Sequence, residues 1–425
     1  MKKMYYPILI GFLLSVFQPV FSCTIVSCSL KGEVFAAANE DEYAPFQNIW
    51  FIPPAKGRYG SVNFGSADLM VQSGLNEHGL FFDATAQSGI DPSKYNLKKI
   101  YPGDMFVEIL AKCKNVKEVL EFFKKYDYSN ASQILVADAE GNSVVINAGI
   151  IVKKTSHFQI NTNFNIADQP SHNYICKRYD LSEELLSKAT EVSVPLLRKV
   201  LERSHQEGKL STQYSQIIDL KRGIIHVYLF HNFEEAYVID LKKELQKGYR
   251  LEKLADHFAP SYAYDNFARR HPLYKKEQMM DELKNKGLDI TVGKYLDLLK
   301  DSAKKDSLLK PAVLEVALQL IKNSWNQHTV GGTWEYWFAL PAGYQIQHFK
   351  DKHLDAAAQL LLALSRQEQF DAAMKKFIYE MYAYLRLLDG DVPKAREFYN
   401  KAVINPSETY PISYKRATEM LKRTE

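Results

Sequence analysis

The rhythm of apolar and polar positions changes near residue 255. Before it, short apolar runs of strand length alternate with glycine-bearing turns. Residues 23–30 and 33–39 flank Lys31-Gly32 and predict a hairpin. Residues 133–138 and 143–147 predict a second around 139–142, and 214–219 and 224–230 a third around 220–223. Further strands are expected at 61–64, 70–73, 80–86, 158–164 and 236–240. Two helical patterns interrupt them, at 104–126, with Phe106, Ile109, Leu110, Val116, Val119, Leu120 and Phe123 near helical spacing, and at 181–207. Hairpin-linked strands with two intervening helices predict an α+β layering with mostly antiparallel sheets.

After residue 255 the pattern is helical, with expected helices at 277–287, 291–304, 311–323, 351–365, 370–389 and 392–404. Ala383, Gly390, Ala395, Tyr399, Ala402 and Pro406 stand at the offsets of a tetratricopeptide-like helical hairpin. A plain all-α region accounts for the same residues, because helical pairs often approach through alanine. The aromatic run 325–344, with Trp334, Tyr336, Trp337 and Phe338, reads as core packing between helices or as a contact surface.

The first 22 residues form a separate pattern. Lys2 and Lys3 precede an apolar core at 7–17, and Val20 and Ser22 suit cleavage before Cys23. Residues 1–22 therefore read as a signal peptide, and the mature chain is expected to be exported, periplasmic or extracellular. Cys23 would then carry a thiol and a free α-amine together. The competing reading is a membrane-anchored lipoprotein with lipid on Cys23; bulky Phe21 fits a lipobox poorly. No later run reaches the ~18 apolar residues of a membrane span.

Composition changes little in this picture. The chain has 425 residues, 46% hydrophobic and 24% charged, which suits a globular enzyme of two or three domains. Its net charge of +4 is too small to point to nucleic acid. Four cysteines (Cys23, Cys28, Cys113, Cys176) in so long an exported chain make no disulfide framework. None has metal-ligand spacing, and the eleven histidines are scattered, so no metal or cofactor is expected. Strand alternation turns Cys28 to the face opposite Cys23, where it reads as a buried small residue. Cys113 is placed within a helix and Cys176 in a polar stretch.

The first hairpin carries the candidate chemistry. With a two-residue turn at Lys31-Gly32, Leu30 faces Glu33 and, counting back, Cys23 faces Glu40 between Asn39 and Asp41. This register sets an acidic cluster beside the mature terminus, where a carboxylate could hold or orient the amine and thiol. An acidic hairpin end is also ordinary solvated turn chemistry.

Four blocks in this order carry a family resemblance: Cys23-Thr24, the run from Ala38-Asn39-Glu40-Asp41 to Tyr43, the run Gln72-Ser73-Gly74-Leu75-Asn76-Glu77-His78-Gly79-Leu80, and Asn161-Thr162-Asn163-Phe164. They resemble the linear amide C–N hydrolases, which include choloylglycine hydrolase, penicillin V acylase and acid-ceramidase-type amidases of the N-terminal nucleophile superfamily. The resemblance covers about residues 23–240. It implies an αββα sandwich at 23–250 followed by a helical C-terminal region at 255–425. It implies Cys23 as nucleophile and its α-amine, titrating near ~8, as proton acceptor. It implies Asp41 as the residue orienting that amine, with Asn39 in the same catalytic block. Asn163 would donate to the oxyanion, together with a backbone N–H near Ala84–Ala86. Ala84 and Asn76 are thus expected at the substrate; the alternative for Asn76 and Glu77 is that they shape their turn.

Two departures stand out. Many relatives carry Arg before the Asn-x-Asp block, where this chain has Ala38, and another arginine is expected near Tyr228–Phe230, where none occurs. Arg58 or Lys56 could replace them in space. The resemblance implies hydrolysis of a small-molecule N-acyl amide through a Cys23 thioester. Two alternatives stay open. One is a lipid-anchored surface protein without catalysis, its helical region binding a protein partner. The other is an acyltransferase of the same family.

Overall fold

The computed structural model describes residues 23–86, 101, 105–126, 132–147, 149–165, 176–300, 306–328, 334–335, 340–341, 350–368 and 370–424. Residues 1–22, where a signal peptide is expected, and most of the aromatic run lie outside the described residues.

Two antiparallel sheets stack face to face. The first has β1 (Thr24–Leu30), β2 (Glu33–Glu42), β10 (Phe158–Asn161), β11 (Ser211–Asp219), β12 (Ile224–Leu229) and β13 (Tyr237–Asp240), in the order β10-β1-β2-β11-β12-β13. The second adds β3 (Asn48–Ile52), β4 (Ser61–Gly65), β5 (Val71–Asn76), β6 (Phe81–Ala86), β7 (Ser132–Ala137), β8 (Ser143–Asn147), β9 (Ile150–Lys153) and β14 (Arg250–Lys253). Its order is β14-β3-β4-β5-β6-β7-β8-β9. Strand alternation divides the side chains among three cores. Ile25, Ala38, Phe64, Phe81, Tyr214 and Val227 fill the space between the sheets. On the outer face of the first sheet, Val26, Ala37 and Ile217 pack on Leu197 and Val200. On the outer face of the second, Trp50, Phe82 and Val136 pack on Ile109 and Val119. The result is the expected αββα sandwich.

Turn chemistry sets the registers. Lys31 and Gly32 both have positive φ, at 51° and 85°, as a two-residue hairpin turn of the favoured twist requires. The β1–β2 pairing runs from Leu30↔Glu33 to Thr24↔Asn39, the register read from the sequence. Gly79, in the β5–β6 turn, has φ +78°, and a Cβ there would lie 2.2 Å from the Leu220 carbonyl oxygen of the first sheet. Gly79→Ala combines backbone strain with a steric clash and is expected to cost about 1–3 kcal/mol in urea unfolding. An unchanged midpoint would show that the two sheets can separate at this turn.

Both helices expected inside the sandwich are broken in two. The 104–126 pattern forms α1 (Met105–Lys112) and α2 (Val116–Phe123), so Cys113 lies at the break rather than within a helix. The Asn115 side chain caps α2 by accepting from Glu118 N at 3.1 Å. The 181–207 pattern forms α3 (Lys177–Ser187) and α4 (Val194–Ser204), with Ser193 as N-cap and Pro195 in the first turn of α4. In both, the apolar period continues through the break, and only the capping residues mark it. Cys176 sits at the N-cap position of α3.

After the short α5 (Leu241–Leu245) and β14, a 3₁₀ turn at Leu254–His257 leads to the helical region. This comprises α6 (Tyr262–Arg269), α7 (Tyr274–Lys286), α8 (Leu288–Lys300), α9 (Leu309–His328), α10 (Lys352–Ser365), α11 (Ala372–Leu388), α12 (Val392–Val403) and α13 (Pro411–Arg423). α11 and α12 form the hairpin expected around Gly390, which has φ +83°. Ala383, Ala395, Tyr399 and Ala402 are buried in it. Trp325, from the start of the aromatic run, packs edge-on against Tyr384 in the helical core, with ring centroids 5.4 Å apart. The helical region joins the sandwich through buried contacts. Phe46 and Phe230 pack with Tyr264, and Lys276 Nζ donates to Ala67 O at 2.9 Å.

Candidate active site

Cys23 stands at the head of β1 with its side chain between the sheets, 1% exposed. Its thiol donates to Glu40 Oε2 at 3.0 Å, the cross-strand partner that the hairpin register predicts. Asp83 of β6 lies beside Glu40 from the opposite sheet, fully buried. Asp83 Oδ1 accepts from the backbone N–H of Ala84 at 2.7 Å. Gln216 Nε2 lies 3.4 Å from Asp83 Oδ2 and donates to the Ser73 hydroxyl at 2.7 Å. A thiol and two carboxyls thus share one desolvated pocket. Burial pushes all three groups toward their neutral forms, and the negative field of the carboxyls adds to the rise at the thiol.

The other face of β1 and β2 holds a cation that sequence reasoning missed. Arg178, on α3, donates from Nη1 to the Cys23 carbonyl oxygen at 2.8 Å and to Thr24 Oγ1 at 2.9 Å. Its Nη2 donates to Asn163 Oδ1 at 2.7 Å, and Nη1 lies 3.7 Å from Asp41 Oδ2. One guanidinium therefore gathers the residues that the family blocks single out at both ends of the site. Arg58 does not fill this role: it sits in the β3–β4 turn, where Glu108 is its acidic neighbour. Lys56 is exposed in the same turn. In the sequence Arg178 is marked only as an arginine in a polar stretch before the expected helix at 181–207, 155 positions from Cys23.

The remaining predicted residues divide by face. Asp41 is buried on the helix-facing side, accepting from Gln206 Nε2 at 2.6 Å and from the Thr212 hydroxyl. Asn39 points the same way, and the structure does not bring its side chain to the thiol. It donates to Leu201 O at 2.9 Å and accepts from the Ser215 hydroxyl at 2.6 Å, tying α4 to the sheet. Asn163 Nδ2 donates to Ala86 O at 2.6 Å. The Ala84 N–H, at the start of the 84–86 stretch expected at the substrate, is engaged by Asp83 Oδ1. Asn76 is a turn and cap residue, as the plainer reading has it. Its amide donates to Leu110 O and Cys113 O at 2.9 and 2.7 Å, and its oxygen accepts from the N–H groups of His78 and Leu80. Cys28 lies in the helix-facing core, opposite Cys23. Asn161, two positions before Asn163, pairs with Ile25 on the inner face, and among the described residues neither of its buried amide atoms has a hydrogen-bond partner.

Among the described residues, His205, Glu207 and His231 could offer a metal one ligand atom each within 4.8 Å of one another. Protein groups already face these rings. His205 Nε2 lies 3.2 Å from Glu207 Oε1, and His231 Nε2 lies 2.8 Å from the Ser211 hydroxyl.

The buried carboxyls dictate a pH response. Burial raises Asp41 to about 7 and Glu42 to about 8. In the unfolded chain both titrate near ~4, so above that the folded state holds protons that the unfolded state has released. Their stabilising contribution is lost as pH rises through the folded values. His226, His231 and His271, lowered by burial, act in the opposite sense, but only below the unfolded histidine value of about 6.5. Between about pH 6.5 and 8 the carboxyls dominate, and the unfolding free energy is expected to fall by about 2 kcal/mol. Urea midpoints that rise over this window would contradict the assignment.

No family model matches the chain, and no curated protein matches it. Solved structures do. Penicillin V acylase from Agrobacterium tumefaciens is similar at 17% identity and a TM-score of 0.43, over 55% of this chain and 90% of its own. Two variants of conjugated bile acid hydrolase from Clostridium perfringens are similar at 15% identity and a TM-score of 0.43, over 56% of this chain and 99% of theirs. These are two of the enzyme types that the sequence blocks resemble.

Proposed function

We propose that this chain is an exported cysteine amidohydrolase that cleaves a linear N-acyl amide, at a non-peptide C–N bond, through a thioester on Cys23. The observation that carries this is the placement of Cys23. Its sulfur lies between the sheets on Glu40, while Arg178 fixes its carbonyl and ties it to Thr24, Asn163 and Asp41. A nucleophile held this rigidly meets a bound carbonyl at a small entropic cost.

Cleavage after Ser22 would leave Cys23 as the mature terminus. The thiol sulfur attacks the amide carbon, the amine leaves, and water then releases the acid from the thioester. In this reading the α-amine of Cys23 is one acceptor for the thiol proton, held near Asp41. Asn163, its amide oxygen clamped by Arg178, supplies a donor to the oxyanion. Asn163→Ala is expected to lower kcat by about 10²–10³-fold with a smaller change in KM. Steady-state kinetics on any accepted substrate would test this, and a pure KM effect would reassign Asn163 to ground-state binding.

The helical region bears on the site through the loop at 43–47. Phe46 N donates to the Tyr264 hydroxyl at 3.3 Å, four residues beyond Glu42 at the end of β2. We place the helical region as the support that shapes the mouth of the pocket. Among the described residues no helix is long and apolar enough to cross a membrane. The decisive experiment is the intact mass of the mature protein together with a panel of N-acyl amides. A mass beginning at unmodified Cys23 and release of free acid support the reading. A diacylglyceryl mass with an inert panel would favour the lipid-anchored alternative.

A further inference from the structure

Building on the Cys23 nucleophile of the preceding section, we propose that Glu40, paired with Asp83, is the general base that takes the Cys23 thiol proton. Three observations carry this. The thiol already donates to Glu40 Oε2 at 3.0 Å, within the reach a catalytic base requires. The other Glu40 oxygen, Oε1, is buried and has no N–H or hydroxyl donor among the described residues. Asp83 lies against Glu40 at hydrogen-bonding range, so a proton on Asp83 gives the Glu40 carboxylate the second donor it otherwise lacks. Asp83 is in turn held by the Ala84 N–H on Oδ1, with Gln216 Nε2 3.4 Å from Oδ2.

The electrostatics select this proton distribution. The titratable groups facing Glu40 are Cys23 from β1, Asp83 from β6 and Tyr214 from β11, with Asp41 and Glu42 on its own strand. Neighbouring carboxyls this deep cannot both ionise at neutral pH. One shared proton leaves Glu40 a carboxylate that accepts from Asp83 on one oxygen and from the thiol on the other. Burial also brings its basicity toward working pH, where a general base is most effective.

The step balances without a further reactant. As the sulfur lone pair forms the S–C bond, the S–H proton passes to Glu40 Oε2. Collapse of the oxyanion breaks the C–N bond, and Glu40 returns that proton to the departing amine. In the second half, Glu40 takes a proton from water as its oxygen bonds the thioester carbon. Collapse then expels the Cys23 sulfur, which recovers the proton. On this assignment the α-amine is not needed for proton transfer, so an N-acylated Cys23 could still turn over.

The test compares wild type, Glu40→Gln, Cys23→Ala and a form acetylated at the Cys23 amine, all as the mature chain, across about pH 5–9. Thermal melts confirm folding. Glu40→Gln is expected to lower kcat by about 10²–10⁴-fold and to remove the acid limb of the pH profile, whereas the acetylated form keeps that limb and most of its turnover. Infrared spectra supply a readout free of turnover. The S–H band should move to higher frequency in Glu40→Gln, and the wild-type minus Asp83→Asn difference spectrum at neutral pH should show the loss of one carboxylic-acid band, with those of Asp41 and Glu42 unchanged. Wild-type turnover and an intact acid limb in Glu40→Gln, with Cys23→Ala inactive, overturn the Glu40 assignment alone. Loss of activity on acetylation with Glu40→Gln active returns the role to the amine. A wild type inert on every amide overturns the amidase reading itself.

Discussion

Cys23→Ala is expected to abolish release of acid from N-acyl amides, by about 10⁴-fold or more, while the protein stays folded. The magnitude follows from what the residue does: without sulfur no thioester forms, and only binding and oxyanion stabilisation remain. Cys23→Ser should rescue little. Its hydroxyl is far less acidic than a thiol and would sit in the same desolvated pocket, next to Glu40 and Asp83, where any developing anion is opposed. Fold integrity can be checked by thermal melting, because the thiol is a small side chain whose loss leaves both sheets paired. Acid release by Cys23→Ala at a rate near wild type would remove Cys23 from the chemistry. Trapping an acyl adduct on Cys23 by intact mass would be the positive counterpart.

Arg178→Ala should be the most damaging single change to the stability of the site. The guanidinium is the cation beside Asp41, whose carboxylate is fully buried, and it bonds the Cys23 carbonyl and Asn163 as well. Removing one partner of a buried ion pair typically costs about 3–5 kcal/mol, since the remaining charge is left uncompensated. Asp41 has a partial escape: burial already lifts it to about 7, so it can take up a proton. The loss should therefore be smaller at pH 6 than at pH 8, a dependence that urea midpoints at the two values would show. Asp41→Asn in the same chain should recover part of the loss. Arg178→Lys should not restore the wild type, because a point charge on a flexible stem cannot serve three acceptors as a planar fork does. Equal midpoints for wild type and Arg178→Ala would mean that Gln206 and Thr212 alone hold Asp41.

Such a change could not have been chosen from the sequence. The stretch around Arg178 reads there as polar, and its guanidinium meets Cys23 only because α3 packs on the outer face of the first sheet. Arg58, a candidate in the sequence to stand in for the arginines that the resemblance implies at Ala38 and near Tyr228, is set beside Glu108 by the fold. The broken helices follow the same logic. The apolar period of 104–126 is continuous, but Asn76 from another strand binds the carbonyls of Leu110 and Cys113 that end α1. Asn39 and Asn163 looked alike as members of polar blocks. Strand alternation and packing send Asn39 to Leu201 and set Asn163 against Arg178.

What the sequence determined by itself was local. A two-residue turn with positive φ at Lys31 and Gly32 sets the β1–β2 register, and the register alone brings Glu40 to Cys23. The parity of positions 23 and 28 sends those two cysteines to opposite faces. Turn residues, caps and periods of two or 3.6 act over a few positions, so they are legible without a fold. The tertiary structure decided the rest. Asp83 reaches Glu40 across two stacked sheets, and Arg178 reaches Cys23 from a helix on the far face. Those meetings depend on which surfaces bury each other, and burial is a property of the whole packed chain rather than of any segment in it.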